Sequence, residues 1–224
     1  MLTPRLRRSL YTVFALMNTR TSEISTFSKL ARENFQSFVA IEQQAEDLRC
    51  QLAKVDPDYD HDIREELSTS EQKMDKFMIV VIVFSAIAIE AYIYDYAARH
   101  FSDSFVKNYI DKLDLISKWV IVPRLVTVKG LPREHKWFEL IKDLVRERNS
   151  IVHSKSSEVP AGFENAKNYF AKLKKKNEQI IQSTRQAIQL LDELIIEMSS
   201  LDAEEAFWIN SSLGNNNQNL MEEP

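Results

Sequence analysis

The chain has 224 residues, a formal net charge of −4, three glycines and one cysteine. That length can bury a sizeable core, and so few glycines disfavour a sheet protein built on tight turns. The charge excludes a globally basic nucleic-acid binder, though not a local basic patch. The lone Cys50 excludes an internal disulfide framework and any cysteine-based metal cluster, and it fits a reducing, cytoplasmic setting.

Residues 1–21 lack Asp and Glu and carry Arg5, Arg7, Arg8 and Arg20, which reads as a basic N-terminal helix or arm. Residues 22–70 read as one long helix, Ser22 to Val55, followed by an acidic linker from 56 to 70. Ile24, Ala31, Phe38, Ala45 and Leu52 recur every seven residues, as do Phe27, Asn34, Ile41, Leu48 and Val55. This heptad seam, interrupted by the polar Asn34, needs an antiparallel or intermolecular partner. Asp56-Pro57-Asp58 stops the helix.

Residues 71–200 read as a helical core. Its first helix, Glu71 to His100, is apolar all round from Phe77 to Ile89 except at Ser85. The run ends at Glu90 and falls short of the ~20 apolar residues of a transmembrane span. The expectation is therefore a fully buried core helix and no membrane association. Glu90 lies on an apolar side with Ile79, Val83, Ala86, Ile93 and Ala97. Ser102-Asp-Ser offers N-caps for a short helix to about Leu113. A further helix runs from Asp114 to Val122, where Pro123 kinks or ends it, and Val120–Val128 is the segment most open to a strand. Pro132 suits the first turn of the next helix.

That helix carries Leu140, Ile141, Leu144, Val145, Ile151 and Val152 at helical spacing. Arg148 falls within the same stripe, where it needs a carboxylate of this chain or a phosphate from outside. Asn149 and His153, four residues apart, share a face at the edge. Residues 155–160 make a polar break. From Pro160 a last long helix runs to about Ser200, with Ile181, Thr184, Ile188, Leu191, Ile195 and Met198 forming a second heptad seam. The two long helices are expected to pair as a coiled-coil-like extension. Residues 201–224 read as a turn of helix at 203–210 and a polar tail from Ser211.

The segment Arg148-Asn149-Ser150-Ile151-Val152-His153 resembles the R-x4-H motif of HEPN domains, small helical domains of which many are ribonucleases. The earlier apolar helix with Glu90 and the Leu115-Ile-Ser-Lys-Trp119 stretch fit the same resemblance, which spans about residues 72–200. Some toxins of the family carry a tyrosine two residues after the histidine; Lys155 stands there in this chain. The resemblance implies an all-α bundle and a homodimer in which two motif helices form a composite site. It implies metal-independent endoribonuclease activity, with Arg148, His153 and Asn149 catalytic and Glu90 and Ser150 supporting. Roles such as toxin, phage defence or RNA processing, with an antitoxin or regulatory protein as partner, follow equally from it. A catalytically silent HEPN-like domain that binds RNA, nucleotide or a protein remains the alternative, and a helical scaffold a third.

The chemistry of the residues agrees with cleavage of RNA. The substrate's own 2′-hydroxyl is the nucleophile, so the protein must supply a base, an acid and a cation for the developing phosphorane charge. No cofactor is required. His61, His100 and His135 lack metal-ligand spacing, and no metal site is expected. Lys172, Lys174, Lys175 and Lys176 read either as a solvated helix face or as an RNA-backbone contact.

Overall fold

The heptad pattern of the first long helix is satisfied within the chain. In the computed structural model, which describes residues 23–56, 60–131, 136–153 and 162–214, α1 spans Ile24–Leu52 and α2 spans His61–His100. They form an antiparallel hairpin, with the Phe27 and Phe84 rings 5.9 Å apart. Near its tip Arg49 pairs with Glu71 at 2.9 Å and Gln44 with Glu66 at 3.1 Å. Ile24, Ala31, Phe38, Ala45 and Leu48 are buried along the seam. Asn34 donates to the Leu30 carbonyl of its own helix, so the polar interruption is satisfied locally.

Two expectations are corrected here. The linker assigned to 56–70 is much shorter, because residues 61–70 are the first turns of α2. Ile63, Leu67, Ser70 and Met74 turn inward at helical spacing, while Arg64 bonds back to Asp60 at 2.6 Å. The main partner of α1 is α2 rather than the last helix, because the short 53–60 connection forces the two to be neighbours. The last helix lies along the other edge of α1 through Arg32–Asp192 at 2.7 Å and Arg185–Glu42 at 2.6 Å.

The apolar run of α2 is not fully buried. Ile79 and Ile87 are exposed. The helix is long and apolar enough to cross a membrane, and half of its most apolar window is covered by the chain's own helices.

Ser102 caps the turn Asp103–Phe105 by accepting from the Phe105 amide, and the chain then makes a π-helical turn at Val106–Ile110. The next helix, α3, spans Leu115–Thr127. Asp114 caps it, accepting from the Ser117 amide at 3.0 Å and the Ser117 hydroxyl at 2.6 Å. The Ser117 hydroxyl holds the Asp114 carboxyl below the usual range. Val120–Thr127 is helical, in keeping with the expected all-α fold, and Pro123 lies inside α3 and does not end it. Pro123 is buried with Trp119 and Val122, and that packing outweighs the lost backbone bond, which costs about 3 kcal/mol.

α3 stops at Val128, whose φ of 66° is a strained region for a β-branched residue. Its side chain is exposed, so the strain has no packing to offset it. Val128→Gly should therefore raise stability by about 1 kcal/mol, visible as a higher urea midpoint. An unchanged or lower midpoint would contradict this.

The motif helix, α4, spans Lys136–Val152, and α5 spans Phe163–Leu201. The helix starts assigned to Pro132 and Pro160, the basic segment at 1–21 and the break at 155–160 lie outside the described residues. Thr184, Ile188, Leu191 and Met198 of the second seam are buried. A 3-10 turn, Ala203–Glu205, leads into α6, Ala206–Leu213. Ser211 is thus helical, not the start of a tail. Leu213 is buried, and its carbonyl accepts from the Ser28 hydroxyl at 2.8 Å and from Arg32 Nη2 at 2.8 Å. Residues 215–224 lie outside the description.

The described residues form an all-α bundle, with no strand among them. An aromatic spine runs through its centre. Tyr92 of α2 stacks on Trp119 of α3 at 5.9 Å, and Trp119 meets Trp137 of α4 edge-on at 6.2 Å. This spine sets α4 against α2 and α3.

Candidate functional site

Trp137, Phe138, Leu140, Ile141, Leu144 and Glu147 are the buried residues of α4. Toward its C-terminus the buried arc turns to Glu147, and Arg148 comes out to the rim with a side chain 30% exposed. It is less buried than its place on the stripe suggests. Glu147 accepts from Gln179 of α5 at 2.7 Å and from Arg146 at 3.3 Å.

The expected partner of Arg148 is in place but only loosely engaged. Arg148 Nη2 stands 3.6 Å from Glu90 Oε2, which is ion-pair range and too long for a good hydrogen bond. Its Nε is buried with no hydrogen-bond partner. A guanidinium has five donors in a planar fork, and among the described residues Arg148 meets a carboxylate through Nη2 alone.

The other oxygen of Glu90 is taken. Lys118 of α3 donates to Glu90 Oε1 at 3.2 Å and approaches Asp111 Oδ1 at 3.7 Å, with its own side chain 4% exposed. Glu90 therefore joins three helices: its own α2, α3 through Lys118 and α4 through Arg148. The sequence reading passed over Lys118. The signal was a single charge beside Trp119 in an otherwise apolar stretch, the same signal that drew notice to Arg148.

Beyond Arg148, Asn149, Ser150 and His153 are all exposed. The His153 amide donates to the Asn149 carbonyl at 3.0 Å, continuing the helical turn. The His153 ring has no hydrogen-bond partner among the described residues. Arg148 and Glu90 are thus brought together, and His153 follows one turn on from Asn149 at the exposed end of the same helix.

Lys172, Lys174, Lys175 and Lys176 are exposed on the first part of α5, within the exposed run of residues 171–179. Gln179, at the end of that stretch, touches Glu147 next to Arg148. By helical rise the lysines lie about 5–10 Å along α5 from this contact. They flank the site and do not enter it. Among the described residues no three His, Cys, Asp or Glu side chains converge as metal ligands do.

No family model, curated protein or solved structure matches the chain.

Proposed function

We propose that this protein is a HEPN-like, metal-independent endoribonuclease, cytoplasmic and homodimeric. The observation that carries the reading is Arg148: a guanidinium at the rim of the bundle, its side chain 30% exposed and only loosely paired with Glu90 at 3.6 Å. Such a group is suited to an external phosphate. His153, exposed one turn beyond Asn149, supplies proton transfer, and Asn149 and Ser150 offer hydrogen bonds beside it. The lysines at 172 and 174–176 would draw the RNA backbone toward this end.

A second copy supplies what one chain lacks. One histidine cannot act as base and acid at once, and a two-fold axis beside the motif helices doubles the inventory. Exposed apolar side chains lie on the same helices: Val152 next to His153 on α4, and Ile87 and Ile79 about one and three turns before Glu90 on α2. A dimer burying this face would bring two Arg148–His153 pairs together. The effector role, whether toxin, phage defence or RNA processing, and any antitoxin or regulatory partner follow from the resemblance alone.

One observation favours the silent-domain alternative. Nothing in the described chain orients the His153 ring, which a working base requires unless the partner copy provides it.

The test is cleavage of single-stranded RNA in EDTA. The expected products carry a 2′,3′-cyclic phosphate or the 3′-phosphate derived from it, and DNA is left intact. Light scattering at micromolar concentration should return a dimer. Cleavage that needs a divalent metal overturns the mechanism, and an active monomer overturns the composite site. Inertness toward RNA, with binding retained, gives the lead to the silent domain.

A further inference from the structure

The pairing of Glu90 has a consequence for how Arg148 stays available. An ammonium as buried as that of Lys118 is tolerated only beside carboxylates. It has two, Glu90 at 3.2 Å and Asp111 at 3.7 Å. Asp111 is delivered by the π-helical turn, its amide bonding five residues back to the Val106 carbonyl at 2.9 Å. Such turns are rare and tend to occur where function re-aims a side chain.

Carboxylate and guanidinium, left to themselves, close into a bidentate fork. Here the fork is open: Lys118 draws Glu90 toward α3 through Oε1 at 3.2 Å, and Arg148 comes no nearer than 3.6 Å, to Oε2. We infer that Lys118 is a positioning residue: by occupying one oxygen of Glu90 it keeps Arg148 from being clamped and leaves its donors free for phosphate. This rests on the reading of Arg148 as the phosphate-binding group. Lys118 itself, buried behind Glu90, does not touch RNA.

A merely structural lysine and a positioning lysine differ in one measurable respect. If Lys118 acts by restraining Glu90, its loss is repaired by disarming Glu90. The experiment follows binding of a 2′-O-methyl RNA oligonucleotide, which lacks the nucleophile and so reports binding alone. It compares wild type, Arg148→Ala, Lys118→Met and Lys118→Met/Glu90→Gln, each checked by thermal unfolding.

Lys118→Met should weaken binding about tenfold, equivalent to ~1.4 kcal/mol, as Glu90 swings fully onto Arg148. Adding Glu90→Gln should bring binding back to within about threefold of wild type, because a neutral amide cannot clamp the guanidinium. If Lys118→Met does not fold, Lys118→Gln carries the same comparison: its amide can still donate to Glu90 but holds it less firmly, so about a threefold loss is expected in the single variant and binding indistinguishable from wild type once Glu90→Gln is added. Wild-type binding in the single variant, or no recovery in the double, overturns the inference even while Arg148→Ala weakens binding. If Arg148→Ala binds as wild type does, the phosphate-binding reading of Arg148 falls, and this inference with it.

Discussion

His153→Ala protein should fold as the wild type does and lose RNA cleavage by a factor of about 10²–10⁴, the range one proton-transfer group contributes. The two halves of this expectation have separate grounds. The ring is exposed and makes no hydrogen bond to the described chain, so its removal strands nothing and leaves no cavity. The loss of rate follows from the proposed chemistry, in which His153 is the one histidine of the motif. Arg148→Lys should also fail to cleave, because an ammonium cannot replace the planar fork. Its effect on stability should be small, under about 1 kcal/mol, since the pair it disturbs is loose and partly exposed. Circular dichroism and a melting curve verify the fold, and a gel assay in EDTA reads the cleavage. Undiminished cleavage by His153→Ala would end the case for the mechanism.

How far the site could be read from the sequence depends on which neighbours periodicity can see. Helical spacing locates Arg148 on an apolar stripe and Glu90 on another, and the two do meet. Periodicity along one helix says nothing about a third helix, so Lys118 escapes it even though the Leu115–Trp119 stretch stands out. It also overstates the burial of Arg148. The spacing of Leu140, Ile141 and Leu144 fixes a face but not where that face runs out, and at the last turn of α4 the buried side has already turned to Glu147.

The fold was legible for a similar reason, and its errors have physical causes. Both heptad seams are buried in large part, because a stripe of that length has nowhere else to go. The acidic residues at 61–70 read as a linker by composition, but Ile63 and Leu67 carry the helical period through them. Pro123 read as a kink or an end, and a proline buried with Trp119 and Val122 is tolerated inside α3. Which long helix pairs with α1 was decided by the length of the connection, not by the quality of the seam.

The polar cluster on the C-terminal turns of α2 gives the largest stability effect. Glu205, in the turn before α6, is buried, and its Oε2 accepts from Arg99 Nη2 at 2.6 Å and from the Tyr92 hydroxyl at 2.9 Å. Arg99 also pairs with Asp95 and lies over the Trp208 ring, 5.5 Å from its centre. Burial, with Glu205 beside it, pushes the Tyr92 phenol well above its usual range, so it stays a neutral donor. Tyr96 donates in the same way to Asp202 at 2.9 Å. These bonds fasten the segment after α5 onto α2, and α6 in turn reaches α1 through Leu213. Glu205→Ala removes the shared acceptor, leaving Arg99 undercompensated and the Tyr92 hydroxyl unpaired. Breaking one side of such a pair costs about 3–5 kcal/mol, a large share of the ~5–15 kcal/mol that holds a domain together. The urea midpoint should drop accordingly, and limited proteolysis should cut first after Leu201, where the released segment begins. Glu205→Gln, which keeps one acceptor oxygen, should lose less than Glu205→Ala. A loss below about 1 kcal/mol in Glu205→Ala would mean that the apolar contacts of Ile209 and Leu213, both buried, hold α6 without the cluster.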